Sequence, residues 1–279
     1  MISITVPGSK SITNRALVLA ALTNGKTVLE NAAICDDTFF MMEGLKKLGT
    51  KIKQSKDKIV IEGCGGNFKK ISKPVKIYTG NAGTTTRFLT ALATITGNKV
   101  IIDGDARMRE RPIQELTKAL NNLGARIETT NGCPPLTIHP QKLKGGTVKV
   151  AGNISSQYLS ALLMICPFAE NNTTIQVEQE LCSKPYIAMT LEVMKKFGIK
   201  IKNKKFSQFE VSTLETARRS QIASPNSLHS KREGEAPNPR LAGWRGRREP
   251  LVIESDASSA SYIGAYAALH PTKKILIEK

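Results

Sequence analysis

Histidine, cysteine, tryptophan and acidic residues are all scarce in this 279-residue chain. The three histidines, His139, His229 and His270, are too scattered for a zinc site or a histidine-based triad, so neither a metal nor a cofactor is expected. The five cysteines are odd in number and widely spaced, without a Cys-x-x-Cys. That pattern excludes a disulfide scaffold and fits a reducing compartment. With 23 acidic against 41 basic residues, the formal net charge of +18 implies an anionic partner, whether nucleic acid, an acidic membrane surface or a phosphorylated small molecule. A single tryptophan, Trp244, leaves little aromatic surface for stacking on single-stranded nucleic acid. The longest apolar stretch, around Tyr158–Ala169, is too short to span a bilayer and contains Pro167. Met1–Pro7 lacks the charged-then-apolar layout of a signal peptide. Gly-x-x-x-x-Gly-Lys-Ser/Thr is absent, which disfavours nucleotide hydrolysis. These absences predict a soluble cytoplasmic protein, and 40% hydrophobic residues are enough for a sizeable core.

What is present is a repeat. Gly8 opens Gly-Ser-Lys-Ser, Gly80 opens Gly-Asn-Ala-Gly and Gly152 opens Gly-Asn-Ile-Ser, at intervals of 72 residues. A second series, Leu48-Gly49, Leu123-Gly124 and Phe197-Gly198, recurs at 75 and 74 residues, each time as an amphipathic helix end, a glycine and an alternating strand. The pattern predicts first helices over Ser11–Asn24, Thr84–Thr96 and Ser155–Phe168, then strands Lys26–Asn31, Lys99–Asp103 and Thr173–Val177. Second helices follow over Thr38–Leu48, Pro112–Leu123 and Pro185–Phe197. A closing strand pair, such as Lys51–Gln54 with Ile59–Glu62, completes each unit. With the strand that leads into the first helix, this is a β-α-β-α-β-β unit used three times, an α+β fold with helices packed together and strands in outer sheets.

A fourth opening, Asp256-Ala-Ser-Ser-Ala-Ser-Tyr262, arrives about 31 residues late and leads to a strand at Lys274–Glu278. The excess lies in Thr216–Glu249, which holds seven of the thirteen arginines but one lysine, with Pro225, Pro237 and Pro239. Without helical or strand periodicity, it reads as an inserted segment, expected to be disordered.

The openings are where chemistry is expected. A helix start offers free N–H groups and a positive dipole end, and Lys10, Ser11 and Arg15 add two cations and a hydroxyl suited to a phosphate or carboxylate. Gly83 permits close approach to the backbone, and Arg107, Arg109 and Arg111 form an alternating basic edge before Pro112 that suits a planar carboxylate. Ser155, Ser156 and Gln157 offer neutral donors, and Ser183-Lys184-Pro185-Tyr186 opens another helix. Taken singly, each reads more readily as a structural feature, a capped helix with solvated charges, than as a functional one. At equivalent positions of a repeat, they converge on one end of the packed units.

Six motifs resemble 5-enolpyruvylshikimate-3-phosphate (EPSP) synthases: Pro-Gly-Ser-Lys-Ser-x-Thr-Asn-Arg (7–15), Gly-Asn-Ala-Gly-Thr (80–84), Arg-Met-x-Glu-Arg-Pro-Ile (107–113), Ser-Ser-Gln-Tyr (155–158), Ser-Lys-Pro-Tyr (183–186) and Asp-Ala-Ser-Ser-Ala-Ser-Tyr (256–262). The resemblance implies the enolpyruvate transferase fold, two inside-out α/β barrel lobes of three units each. Residues 15–212 would form the complete lobe, 1–14 with 251–279 part of the other, and 213–250 the inserted segment. It implies transfer of the enolpyruvyl group of phosphoenolpyruvate to the 5-hydroxyl of shikimate 3-phosphate, on the route to chorismate and aromatic amino acids, with no cofactor. Lys10 would contact both substrates as the catalytic residue among the matched positions. Ser11, Arg15, Ser155, Ser156, Gln157 and Ser183 would bind shikimate 3-phosphate, and Asn81, Gly83, Arg111 and Gln157 phosphoenolpyruvate. The expected partners are these small molecules, not a membrane or a specific nucleic acid, with a monomer as the complete form. The carboxylates for proton transfer would lie beyond Lys279, so the chain by itself is expected to be inactive or very feeble. Two other readings are a UDP-N-acetylglucosamine enolpyruvyl transferase-like enzyme and a gene remnant that binds nucleic acid nonspecifically through its charge.

Overall fold

The computed structural model describes residues 2–153, 155–217, 247, 249–270 and 275–278. Most of the expected inserted segment, 218–246 and 248, lies outside the described residues.

Three equivalent units make up the first 211 residues. Unit 1 runs through α1 (Lys10–Leu22), β2 (Asn24–Glu30), α2 (Asp36–Lys47), β3 (Lys51–Ser55) and β4 (Lys58–Cys64). Unit 2 comprises β5 (Val75–Tyr78), α3 (Gly83–Ala93), β6 (Val100–Asp103), α4 (Gln114–Asn122), β7 (Ile127–Thr130) and β8 (Cys133–Ile138). In unit 3, β9 (Gly146–Ala151), α5 (Ser156–Ile165), β10 (Thr173–Glu178), α6 (Lys184–Lys196), β11 (Lys202–Lys204) and β12 (Gln208–Val211) repeat the order. The remaining elements are β1 (Ile2–Thr5), β13 (Leu251–Val252), α7 (Ala257–Leu269) and β14 (Ile275–Glu278).

Helices of two kinds follow from two hydrophobic patterns. The first helix of each unit is apolar nearly all round and is buried nearly throughout: α1 from Thr13 through Leu22, α3 from Thr85 through Ala93, α5 from Tyr158 through Ile165. The second helices bury one stripe each, such as Thr38, Met41, Met42 and Leu45 in α2, or Ile187, Thr190, Val193 and Met194 in α6. Removing a side chain such as Leu22 or Leu162 from water is worth about 1.5–3 kcal/mol, so the first helices form the centre and the sheets cover it. Second helices end as the repeat requires. Gly49, Gly124 and Gly198 have φ of 99°, 100° and 84°. In each case the glycine N–H and the next one bond back into the last turn, as in Gly49 N to Lys46 O at 2.9 Å and Thr50 N to Leu45 O at 3.0 Å.

The first helices end two or three residues earlier than expected, at Leu22, Ala93 and Ile165, and Asn24 opens β2. The second helix of unit 2 begins at Gln114, not Pro112, because Ile113 N donates to Gly132 O at 2.9 Å and Ile113 takes φ −135°.

The larger departure is topological. Each unit forms a four-stranded sheet in which a leading strand lies parallel to the strand after the first helix, followed by an antiparallel hairpin: β5-β6-β8-β7 and β9-β10-β12-β11. In unit 1 the leading position is not filled by β1, as chain order suggests. It is filled by β13, parallel to β2, and β1 pairs instead with β14, which follows α7. Units 1 and 4 have therefore exchanged leading strands. The two crossing segments meet at Gly8 and Ser255: Ser9 N bonds Glu254 O at 2.8 Å and Asp256 N bonds Pro7 O at 2.9 Å. A Cβ on Gly8 would lie 1.7 Å from Asn31 O, so the crossing admits no side chain there. Among the described residues no helix is long and apolar enough to cross a membrane.

Candidate functional site

The starts of five helices lie at one end of the three-unit body, joined by side chains. Lys10, the first residue of α1, places Nζ 3.4 Å from Asp37 Oδ1 in the first turn of α2. Asp37 O accepts from Thr85 Oγ1 on α3 at 2.7 Å. Arg15 ties α1 to α5 and α6. Its Nε donates to Thr190 Oγ1 at 2.7 Å and its Nη2 to Ser160 Oγ at 3.3 Å and Tyr186 O at 3.4 Å. Tyr158 Oη on α5 donates to Pro112 O at 2.7 Å, and Arg87 Nη2 reaches the same carbonyl at 3.3 Å, joining α5 and α3 to the turn before α4.

Arg15 is 2% exposed. Its Nη1 donates to Ser11 O at 2.8 Å, its guanidinium lies 5.4 Å from the Phe88 ring centroid, and no carboxylate pairs with it among the described residues. Burial pulls its pKa down to about 10. It is placed beneath the helix starts, not at the surface beside Ser11.

Arg87, buried at 6% exposure, repeats this arrangement 72 residues on. Arg87 Nη1 donates to Gly83 O at 2.9 Å, as Arg15 does to Ser11 O, in both cases back to the fourth residue before it. Its Nε is buried without a hydrogen-bond partner, and its basicity is lowered by burial first, with the nearby Arg111 cation acting in the same direction. Arg111 donates to Asn81 O at 3.2 Å and Asn81 Oδ1 at 3.3 Å. A Cβ on Gly83 would come within 2.6 Å of both Arg87 Nη1 and Arg111 Nη2. Two guanidinium groups thus meet over one glycine, again with no carboxylate paired to either among the described residues.

The expected basic edge is smaller than its alternating arginines suggested. The chain at Met108–Glu110 makes a single 3-10 turn, which breaks the alternation. Arg109 is held by Asp103, Nε to Oδ1 at 2.9 Å and Nη2 to Oδ2 at 2.6 Å, and Arg107 by Glu110 at 3.0 Å. Of the three, Arg111 faces Gly83.

The uncharged openings have the expected local form. Ser155 caps α5, accepting from Gln157 N at 3.2 Å. Ser156 is buried, and Gln157 and Ser183 are half-buried. Ser183 caps α6 without a side-chain bond to its first turn, which leaves its hydroxyl available to another partner. Arg87 and Asp37 were not singled out by sequence reasoning. Arg87 carried a signal, since it stands one period after Arg15, whereas nothing in chain order marks Asp37 as Lys10's partner. A cavity of about 600 Å³ lies at the crossing, lined by Glu30, Asp57 and Glu254 with Lys58. Its carboxylates make it a poor host for an anion.

Repeated α/β units with helix starts gathered around Arg15, Arg87 and Arg111, which have no carboxylate partner among the described residues, define a protein of the enolpyruvate transferase fold. The chain belongs to the EPSP synthase family: the family model described as EPSP synthase (3-phosphoshikimate 1-carboxyvinyltransferase) matches residues 2–223. It is 41% identical over 280 residues to the 3-phosphoshikimate 1-carboxyvinyltransferase of Haemophilus influenzae (strain PittEE), covering 98% of this chain and 58% of that protein. To the enzyme of that name from Aliivibrio salmonicida (strain LFI1238) it is 42% identical over 270 residues, 95% of this chain and 57% of the relative. In three dimensions it matches EPSP synthase from Acinetobacter baumannii with a TM-score of 0.72 at 23% identity, over 99% of this chain and 54% of that one. The chain thus spans somewhat over half the length of these relatives.

Proposed function

We propose that this chain carries the substrate-binding lobe of an enzyme that transfers the enolpyruvyl group of phosphoenolpyruvate to the 5-hydroxyl of shikimate 3-phosphate. The observation that carries the reading is the meeting of Arg87 and Arg111 over Gly83 without a carboxylate. Two like charges held together, one of them only 6% exposed, gain from an anion that accepts from both. Phosphoenolpyruvate, with a carboxylate and a phosphate, fits this pair together with Asn81 and Gln157. Shikimate 3-phosphate, a polyhydroxylated phosphate, fits Ser11, Ser155, Ser156, Gln157 and Ser183, with Arg15 adding positive potential from beneath. Lys10, half-exposed and 3.4 Å from Asp37, would touch both ligands.

The reaction needs a base for the attacking hydroxyl and an acid for the methylene carbon of phosphoenolpyruvate. None of the positions named above supplies that pair. Residues 15–212 make the binding lobe, to which the start of α1 and β13 are joined, and the rest of 1–14 and 251–279 begin the other. The protein works in the cytoplasm on small molecules, without a specific nucleic-acid partner, and its complete form is a monomer.

Titration calorimetry of the 279-residue chain with each ligand tests the binding claim. Saturable heat with shikimate 3-phosphate, and with phosphoenolpyruvate in its presence, is expected. Absence of both sinks the proposal.

A further inference from the structure

Tyr158 stands in the first turn of α5, directly after Gln157, and is 3% exposed. A tyrosine enclosed to that degree needs a partner for its hydroxyl. The partner is not in its own unit. Tyr158 Oη donates at 2.7 Å to Pro112 O, 46 residues earlier in unit 2. Arg87 Nη2 donates to the same carbonyl at 3.3 Å, and its guanidinium lies 6.0 Å from the Tyr158 ring centroid. Pro112 has no N–H, so its carbonyl is the polar handle by which it can be held. The N–H of the next residue, Ile113, donates to Gly132 O at 2.9 Å. The planar peptide group between Pro112 and Ile113 is therefore gripped at both its oxygen and its hydrogen, which fixes its orientation.

Arg111 lies one residue before this anchor and reaches from it to the start of α3, where Nη1 donates to Asn81 O and Oδ1. A long side chain keeps one placement over Gly83 only if the backbone it hangs from is fixed. We infer that Tyr158 is a positioning residue: its hydroxyl, through Pro112 O, sets the backbone from which Arg111 meets an anion over Gly83. The inference rests on the binding reading above and adds to it a residue that acts through another. A merely structural tyrosine would behave differently. It would steady the first turn of α5, which carries Ser156 and Gln157, and its loss would be felt first by shikimate 3-phosphate. Acting through Pro112, the hydroxyl instead serves the phosphoenolpyruvate side from an element that carries the other ligand's donors.

Tyr158→Phe removes the hydroxyl alone and leaves Pro112 O with Arg87, so the three-unit body keeps its fold. The 279-residue chain is titrated by calorimetry with shikimate 3-phosphate, then with phosphoenolpyruvate on the loaded chain. The variant is expected to bind phosphoenolpyruvate roughly threefold to tenfold more weakly, the loss of one buried hydrogen bond, with its affinity for shikimate 3-phosphate within about twofold of the parent's. Made on an Arg111→Ala background, the same change is expected to cost nothing further, because the two act as one unit. Unchanged phosphoenolpyruvate affinity overturns the inference. So does an equal loss for shikimate 3-phosphate, or a loss that adds in full to that of Arg111→Ala. Failure of the binding reading shows differently, as a parent chain that gives no heat with either ligand. Amide exchange of the ligand-free chain then decides: Ile113 N–H should exchange at least about threefold faster in Tyr158→Phe, and an unchanged rate overturns the inference whatever the ligands do.

Discussion

At the scale of single residues, the site is a matter of which cations have protein partners. Arg109 and Arg107 are tied to Asp103 and Glu110, so their charge is neutralised locally, whereas Arg111 and Arg87 have no carboxylate among the described residues. Arg111→Ala is therefore expected to weaken phosphoenolpyruvate binding roughly tenfold to a hundredfold, the about 1.5–3 kcal/mol of a hydrogen bond to a charged group. Calorimetry on the chain loaded with shikimate 3-phosphate reads it. The Asp103–Arg109 pair makes a separate prediction. The guanidinium's hydrogen bonds hold the Asp103 carboxyl below the usual range, so the native chain binds that proton less readily than the unfolded one. The pair's contribution is present above the ordinary carboxylate range and is lost as pH falls through the lowered native value. Because both groups are partly exposed, Arg109→Ala should lower stability only slightly by urea unfolding at neutral pH, and the difference should vanish in strong acid. Cysteine chemistry is equally local. Burial pushes the Cys166 thiol up to about 12, while Cys35 and Cys182 are exposed. Brief alkylation of the native protein should label the latter two and spare Cys166, as peptide mapping would show. Arg15 and Arg87 were legible as a pair from their 72-residue spacing, but their burial was not, since chain order does not reveal that Phe88, Ser160 and Thr190 close over Arg15.

At the scale of elements, most of the fold could be read because it is local. Three glycine-ended amphipathic helices and three apolar first helices are fixed by periodicity and by left-handed turns that a side chain resists. A Cβ added to Gly49 or Gly198 would meet no atom within 4 Å, so Gly→Ala there tests backbone strain without a clash. Each change should cost about 1–2 kcal/mol by urea unfolding. Leu19, wholly buried in α1, should cost about 2–5 kcal/mol on change to Ala. The start of α4 escaped sequence reasoning for a physical reason. Proline suits a first helical turn, but here Pro112 O serves Tyr158 and Arg87, and Ile113 N serves Gly132, so long-range bonds hold both residues outside the helix.

At the scale of the whole molecule, the units are not independent beads. Units 1 and 4 exchange leading strands, and the crossing is locked at Gly8, where Ser9 N and Asp256 N bond across the two segments. Gly8→Ala is expected to force the crossing apart, because its Cβ would collide with Asn31 O. The readout is faster amide exchange at Ile253, whose N–H bonds Glu30 O at 2.8 Å. If Ile253 exchanges as slowly in the variant as in the parent, the crossing is not locked there.

The amino-acid sequence by itself determined the repeat, the glycine ends of the second helices, and the family, because these depend on short-range periodicity and on residue types at fixed spacing. Tertiary structure decided what distance along the chain conceals. β13 and not β1 completes the first sheet, because strand pairing follows which segments meet at the crossing. Arg111 alone of three arginines faces Gly83, because Asp103 and Glu110 neutralise the others. Arg15 lies under the helix starts, because helices from three units pack around it.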